Sequence, residues 1–431
     1  MRFLRVAFCV LIASSVLAFG AVEEWAQSGI EVGAAILLVY WAVHTYVWRT
    51  DRIFVSPFFL PLTAFLLVVV AQLAFRTTAS SYDTRVELQL LIGYLILIHL
   101  MTQAYLQSRH WRGLVWFLMG LGFFVSVFAI LQHLTFNGKL YWYREMRYGG
   151  LPFGPYVNRN HFAGFAELMI PIALVPLALG KVRRERMFLV SLFALVPIVA
   201  LILSASRGGI VSFIVEMAVL FVVLLVRRIR SKYVLVGGMV VLCALVAVSW
   251  IGVQQVLERF SNYPALEVTR GKRAAMRHDT WRIFKDHPVL GTGLGTLQMV
   301  FPPYDSFYDG RVVNHSHNDY LEALAETGIL GGLCCAWFLG ILLVESLKGL
   351  GGLGTSFNSA LNLSGLVGCS GLLVHSLFDF NLHIPANGLL FFVAAHLATA
   401  RIQPDSVAVP RDGSHRRSSR NRQAACARQI V

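Results

Sequence analysis

Between positions 312 and 332 the chain reads VVNHSHNDYLEALAETGILGG. His315 and His317 flank Ser316, and Asn318, Asp319, Tyr320 and Glu322 follow before the sequence turns apolar again. Three chemistries fit these residue types. An H-x-H pair beside a carboxylate can begin a metal site, but such a site needs further nitrogen, oxygen or sulfur donors. The neighbouring sequence offers only scattered candidates such as His278, His287 and Asp305. A histidine can also be a packed, hydrogen-bonded structural group, which suits His315. The third chemistry is proton transfer. Asn318 or Asp319 can cap a helix beginning there, with Glu322 three residues after Asp319 as in a capping box. His317 then stands just ahead of a helix N-terminus, and a neutral imidazole is suited to accepting a hydroxyl proton near neutral pH. Asp319 and Glu322 are the rival bases.

A second stretch, LSASRGG (203–209), places Arg207 in a short turn between two apolar runs. An arginine at membrane depth faces a polar cavity or an anion. The following helix adds unpaired N–H groups and a positive dipole end, so the turn is expected to form a phosphate pocket. The alternative is an arginine that snorkels to lipid headgroups. A third stretch, TRGKRAAMRHDTWRIFKDHP (269–288), interleaves Arg273, Arg277, Arg282 and other basic residues with Trp281 and Phe284. A basic, partly apolar face beside a membrane suits an anionic lipid-linked ligand or lipid headgroups.

These residues need a scaffold, and its class follows from composition. The chain has 431 residues, of which 56% are hydrophobic and 14% charged. Apolar runs of about 18 residues or more recur, the length that crosses a bilayer core as a helix. A transmembrane barrel would instead show short alternating segments. The expected fold is an all-α polytopic integral membrane protein with about twelve transmembrane helices. They form a domain over 1–403, the tenth helix starting near 328. The N-terminal MRFLRVAFCVLIASSVLAFGA resembles a signal peptide and is expected to stay as the first span.

Basic residues in short loops mark the cytoplasmic side. KVRRER (181–186) and RRIRSK (227–232) fix it, and MRFLR, RTDR (49–52), SRHWR (108–112) and the basic tail (404–431) fall on that same side. The acidic AVEEW segment falls opposite. Both termini are therefore expected in the cytoplasm, with the tail disordered. Two larger periplasmic loops result, 135–160 and 254–327, the second carrying the histidines. On that side there is neither ATP nor nucleotide sugar. The net charge of +14 follows from membrane orientation, so no nucleic acid is expected. The six cysteines show no paired spacing, which implies neither a disulfide framework nor a zinc site.

HSHNDYLEALAETGILGG, with SASRGG earlier and W-x5-HPVLGTGLG (281–295) between them, resembles the O-antigen ligase and polymerase family. GPYVNRNHFAGFAELMIPIAL (154–174) resembles that family's asparagine-bearing outer loop leading into a helix. The resemblance covers roughly 150–335. It implies transfer of a glycan from an undecaprenyl-diphosphate carrier to an acceptor hydroxyl at the periplasmic face of the bacterial inner membrane. The acceptor is lipid A–core in ligases, another lipid-linked glycan in polymerases, and a protein serine or threonine in the related protein O-oligosaccharyltransferases. The reaction is implied to be inverting and to need no metal or cofactor. By motif, His317 matches the family's essential histidine and Arg207 the arginine of its SRG turn. Arg277 best fits the arginine preceding the tryptophan, with Arg273 and Arg282 as alternatives. Asn160, His315, Asn318, Tyr320 and Glu322 would support the site, and membrane lipids would surround it. The rival function is a transporter or flippase of lipid-linked glycans. Transporters tend to carry internal repeats and mid-membrane polar groups, whereas here no repeat is evident and polar residues gather in the outer loops.

Overall fold

Inside a bilayer every backbone N–H and C=O must find a partner within the protein, which leaves apolar runs the choice of helix or closed barrel. This sequence takes the first. The computed structural model describes residues 1–48, 53–145, 151–229, 231–252, 263–353 and 356–401. The RTDR segment and the basic tail lie outside them. Among the described residues 76% are helical and there is no strand.

The helices are α1 (Arg2–Leu17), α2 (Glu24–Val47), α3 (Phe59–Ala74), α4 (Ser81–Ala104), α5 (Ser108–Leu134), α6 (Arg159–Ala178), α7 (Met187–Leu203), α8 (Arg207–Val226), α9 (Val234–Gly252), α10 (Tyr263–Asp286), α11 (Leu297–Val300), α12 (Asp319–Gly349), α13 (Phe357–His375) and α14 (Pro385–Thr399). Eight are long and apolar enough to cross a membrane, and three shorter apolar helices accompany them. At the centre stands α6, whose apolar window is wholly buried. It packs against α5, α7, α8, α9, α13 and α14. Small residues allow close approach there, as between helices in lipid. A Cβ at Gly365 of α13 would lie 2.4 Å from the Ala394 carbonyl oxygen of α14.

The segment 254–327, expected as an outer loop, is helical in part. That stretch contains α10 and the short α11, and α12 begins at Asp319, as its cap predicts, ahead of the apolar span expected from near 328. Hydropathy missed this first part of α12 because its residues are polar and buried in protein, not in lipid. The helix then breaks at Gly328, where φ is 63° and ψ −166°. The HPVLGTGLG loop lies across that break. The Pro288 and Val289 carbonyls accept from Ile329 N (2.8 Å) and Leu330 N (3.4 Å). Thr292 N and Gly293 N donate to the Ala325 and Glu326 carbonyls at 3.0 and 2.9 Å. The Glu326 carboxylate accepts from Gly295 N and Leu297 N, each at 2.9 Å. Thus the glycine-rich motif is a fastening between the α10–α12 connection and the head of α12.

Candidate functional site

Two helix N-termini bring their polar residues together through their caps. Asn158 caps α6, its Oδ1 accepting from Asn160 N at 2.9 Å, and this sets Asn160 in the first turn. Asn318 caps α12, accepting from Leu321 N at 3.0 Å. Asn318 also donates from Nδ2 to the Leu377 carbonyl at 3.2 Å, and Asp319 N donates to the Ser376 carbonyl at 3.0 Å. The head of α12 is therefore pinned to the turn between α13 and α14. Tyr320 strengthens the join by donating to the Leu373 carbonyl at 2.7 Å.

His317 precedes the cap with φ at +54°, a left-handed conformation that costs a non-glycine residue about 1–3 kcal/mol and persists only where its surroundings hold it. In this pose Nδ1 lies 3.0 Å from Oδ1 of Asp379. The Asp379 side chain is 1% exposed and that of His317 25%. Oδ1 also accepts from Phe380 N at 3.0 Å, while Oδ2 accepts from Asn160 Nδ2 at 2.5 Å. Arg273 of α10 donates to the Phe378 carbonyl at 3.0 Å, with Nη2 3.8 Å from Oδ2 of Asp379. Burial alone would push the Asp379 carboxyl up, but the His317 hydrogen bond and charge, with His161 and Arg273, outweigh it and hold the group well below the usual carboxylate range. An ionised carboxylate can only accept, so Nδ1 of His317 carries the hydrogen and, when the ring is neutral, Nε2 is left as the acceptor. That is the arrangement of an oriented proton acceptor.

The expected supporting residues divide. Asn160 reaches the dyad directly. His315 does not join His317 in an H-x-H pair: its Nδ1 lies 2.6 Å from Oε1 of Glu322, and its ring stacks on Phe380 with centroids 4.2 Å apart. Glu322 does not close a capping box. Its Oε2 accepts from Ser316 N at 2.8 Å and from Ser316 Oγ at 3.1 Å. Asp319 accepts from Leu382 N at 3.1 Å and lies 2.6 Å from Nδ1 of His383. Both rival carboxylates are thus committed to neighbours within the protein.

The arginines also separate. Arg207 is the first residue of α8, whose N-cap Ser206 accepts from Gly209 N at 3.2 Å. This helix end abuts the last turn of α13, since a Cβ at Gly208 would come within 2.6 Å of Nε2 of His375. The same turn leads to Asp379, so the start of α8 lies beside the end of α13 from which the dyad's carboxylate follows. Arg273 and Arg277 are one helical turn apart on α10 and share a face. Arg273 is spent on Asp379 and the Phe378 carbonyl, whereas Arg277 makes no ion pair among the described residues. Arg282 lies 3.7 Å from Asp279 and sits over the Tyr304 ring.

Sequence reasoning missed Asp379, Phe380 and His383. The available signal was an acid, two phenylalanines and a histidine in the short turn SLFDFNLH (376–383) between two apolar runs. It also missed polar groups inside the spans. Glu167 of α6 and His375 of α13 are fully buried with Oε1 and Nδ1 2.8 Å apart, and Glu216 of α8 is likewise buried. The reading that polar residues gather in the outer loops is qualified by these three, which lie within apolar helices. No curated protein sequence matches this chain. Residues 168–336, which carry Arg207, all of α10 and the whole HSHNDYLE segment, match the family model described as O-antigen ligase, and this match supports the O-antigen ligase-like family for the chain.

Proposed function

We propose that this membrane glycosyltransferase moves a glycan from an undecaprenyl-diphosphate-linked donor to an acceptor hydroxyl at the periplasmic face of the inner membrane. About twelve helices cross the bilayer in this reading, with both termini and the basic tail in the cytoplasm. The observation that carries it is the His317–Asp379 contact of 3.0 Å. Nε2 of His317 accepts the proton as the acceptor oxygen bonds to the anomeric carbon. The bond from that carbon to the diphosphate oxygen breaks on the opposite face, inverting the centre. The departing diphosphate takes the electron pair, and Arg207, Arg277 and the amides at the start of α8 stabilise its charge. Cations and oriented amides suffice for such a leaving group, so the step needs no metal. The acceptor in this reading is lipid A–core, another lipid-linked glycan or a protein hydroxyl. Loss of chain length or of attachment in a deletion strain's surface glycan distinguishes them.

A second reading, transport of the same lipid-linked glycans, draws support from buried Glu167, Glu216 and His375. Purified protein in vesicles decides between the two. Transfer of a labelled glycan from donor to acceptor, lost in His317→Ala, supports the transferase. Movement of labelled donor across the bilayer with no transfer product supports the transporter.

A further inference from the structure

His315, Glu322 and His383 converge beside the dyad from three chain segments. Each offers one ligand atom, and these atoms all lie within 4.8 Å of one another. Oε1 of Glu322 is 2.6 Å from Nδ1 of His315 and 3.6 Å from Nε2 of His383. Each candidate ligand is also held from outside. His383 turns its other nitrogen, Nδ1, toward Oδ1 of Asp319 at 2.6 Å. A carboxylate there fixes the ring and leaves Nε2 as the free donor, the outer support that metal-bound histidines ordinarily have. Ser316 holds Oε2 of Glu322 through its N–H and hydroxyl, which aims Oε1 at the two rings. Phe380 stacks on His315. Glu87 of α4 lies within electrostatic reach of both histidines.

We propose that His315, Glu322 and His383 bind one divalent cation of the zinc type. Two imidazole nitrogens and one carboxylate oxygen suit Zn²⁺ and neighbouring transition metals, whereas Mg²⁺ and Ca²⁺ favour all-oxygen sites. The glutamate side chain is 1% exposed and those of His315 and His383 are 30% and 21% exposed, so the position is sheltered yet reachable. His317 is not a ligand. The cation's place is structural: it ties the 313–318 segment and the first turn of α12 to the 376–384 turn. Those two segments carry His317 and Asp379, so the cation fixes the dyad's separation without touching the reacting atoms. Binding does not depend on which reaction the protein performs.

The test uses the full chain in detergent micelles or nanodiscs, without a polyhistidine tag. The protein is stripped with chelator, titrated with ZnCl₂, and assayed for metal content by mass spectrometry and for thermal unfolding. One zinc per chain with a raised melting temperature is expected, with Mg²⁺ unable to compete. Asp319→Asn keeps the ligands but removes the outer support, and should weaken zinc binding about 10–100-fold. His383→Gln should abolish binding, and His317→Ala should leave it intact. Where His383→Gln fails to fold, His315→Gln, at a partly exposed position, decides by the same metal content. Failure to retain stoichiometric zinc, retention at wild-type affinity without either histidine, or loss in His317→Ala would each overturn the proposal. Because metal content is read directly, these results stand apart from any result of the transfer assay.

Discussion

Asp379 and His317 lie 62 positions apart in the chain and meet at 3.0 Å, the carboxylate buried and the imidazole open on one side. The pairing depends on two helix caps, since Asn158 sets Asn160 against the carboxylate and Asn318 sets His317 ahead of α12. Removal of either partner should therefore remove one function. His317→Ala and Asp379→Asn should each slow transfer by about 10²–10⁴, the worth of a positioned proton acceptor. The double variant should be little worse than either single one, because residues acting as a unit are not additive. Donor binding should persist in all three. A double loss equal to the product of the singles would mean that the residues act separately. Asp379 has a folded pKa below its unfolded one, so its stabilising contribution is complete above the unfolded value of about 4. It is lost as pH falls toward the lower folded value. The melting difference between wild type and Asp379→Asn should hold steady above about pH 5 and shrink below about pH 4.

The arginines are expected to fail in different ways. Arg207→Ala should abolish transfer while the protein still inserts, and Arg207→Lys should recover little, because an ammonium cannot reproduce a two-pronged contact with phosphate. Arg277→Ala should weaken donor binding about 10–100-fold, the loss expected for a charge-assisted contact of about 1.5–3 kcal/mol. Arg273→Ala acts through Asp379 and should lower kcat more than it raises KM. Full activity in Arg207→Lys would reduce the role of that residue to simple charge.

Gly328→Ala tests the fastening at the α12 break. Its backbone lies where only glycine is at ease, and a Cβ would come 2.2 Å from the Val289 carbonyl oxygen. Destabilisation of at least about 1–3 kcal/mol is expected from the conformation alone. Thermal unfolding in detergent measures it. An unchanged melting temperature would show that the HPVLGTGLG loop is not fastened there.

Orientation is open to labelling. In a cysteine-free background, Tyr308→Cys at an exposed loop position should react with an impermeant thiol reagent added outside the inner membrane. Arg184→Cys in the KVRRER turn, also exposed, should react only after permeabilisation. The reverse pattern would put His317 in the cytoplasm and remove the basis for a lipid-linked donor presented from outside.

What could be read along the chain was local. Apolar run lengths revealed the helical membrane class, because a bilayer imposes a minimum span on any segment that crosses it. Asn318 announced the start of α12, since a capping side chain bonds amides only two or three residues away. His317 and Arg207 stood out because polar residues are costly amid apolar ones. What the tertiary structure decided was every partnership across distant segments. Asp379 and His383 were invisible as partners because nothing in a 62- or 61-residue separation encodes proximity. They reach His317 and Glu322 only because α13 packs beside α6 and returns its turn to the head of α12. The same distance effect split His315 from His317. Two histidines one serine apart face different carboxylates once a left-handed backbone at His317 turns them away from each other.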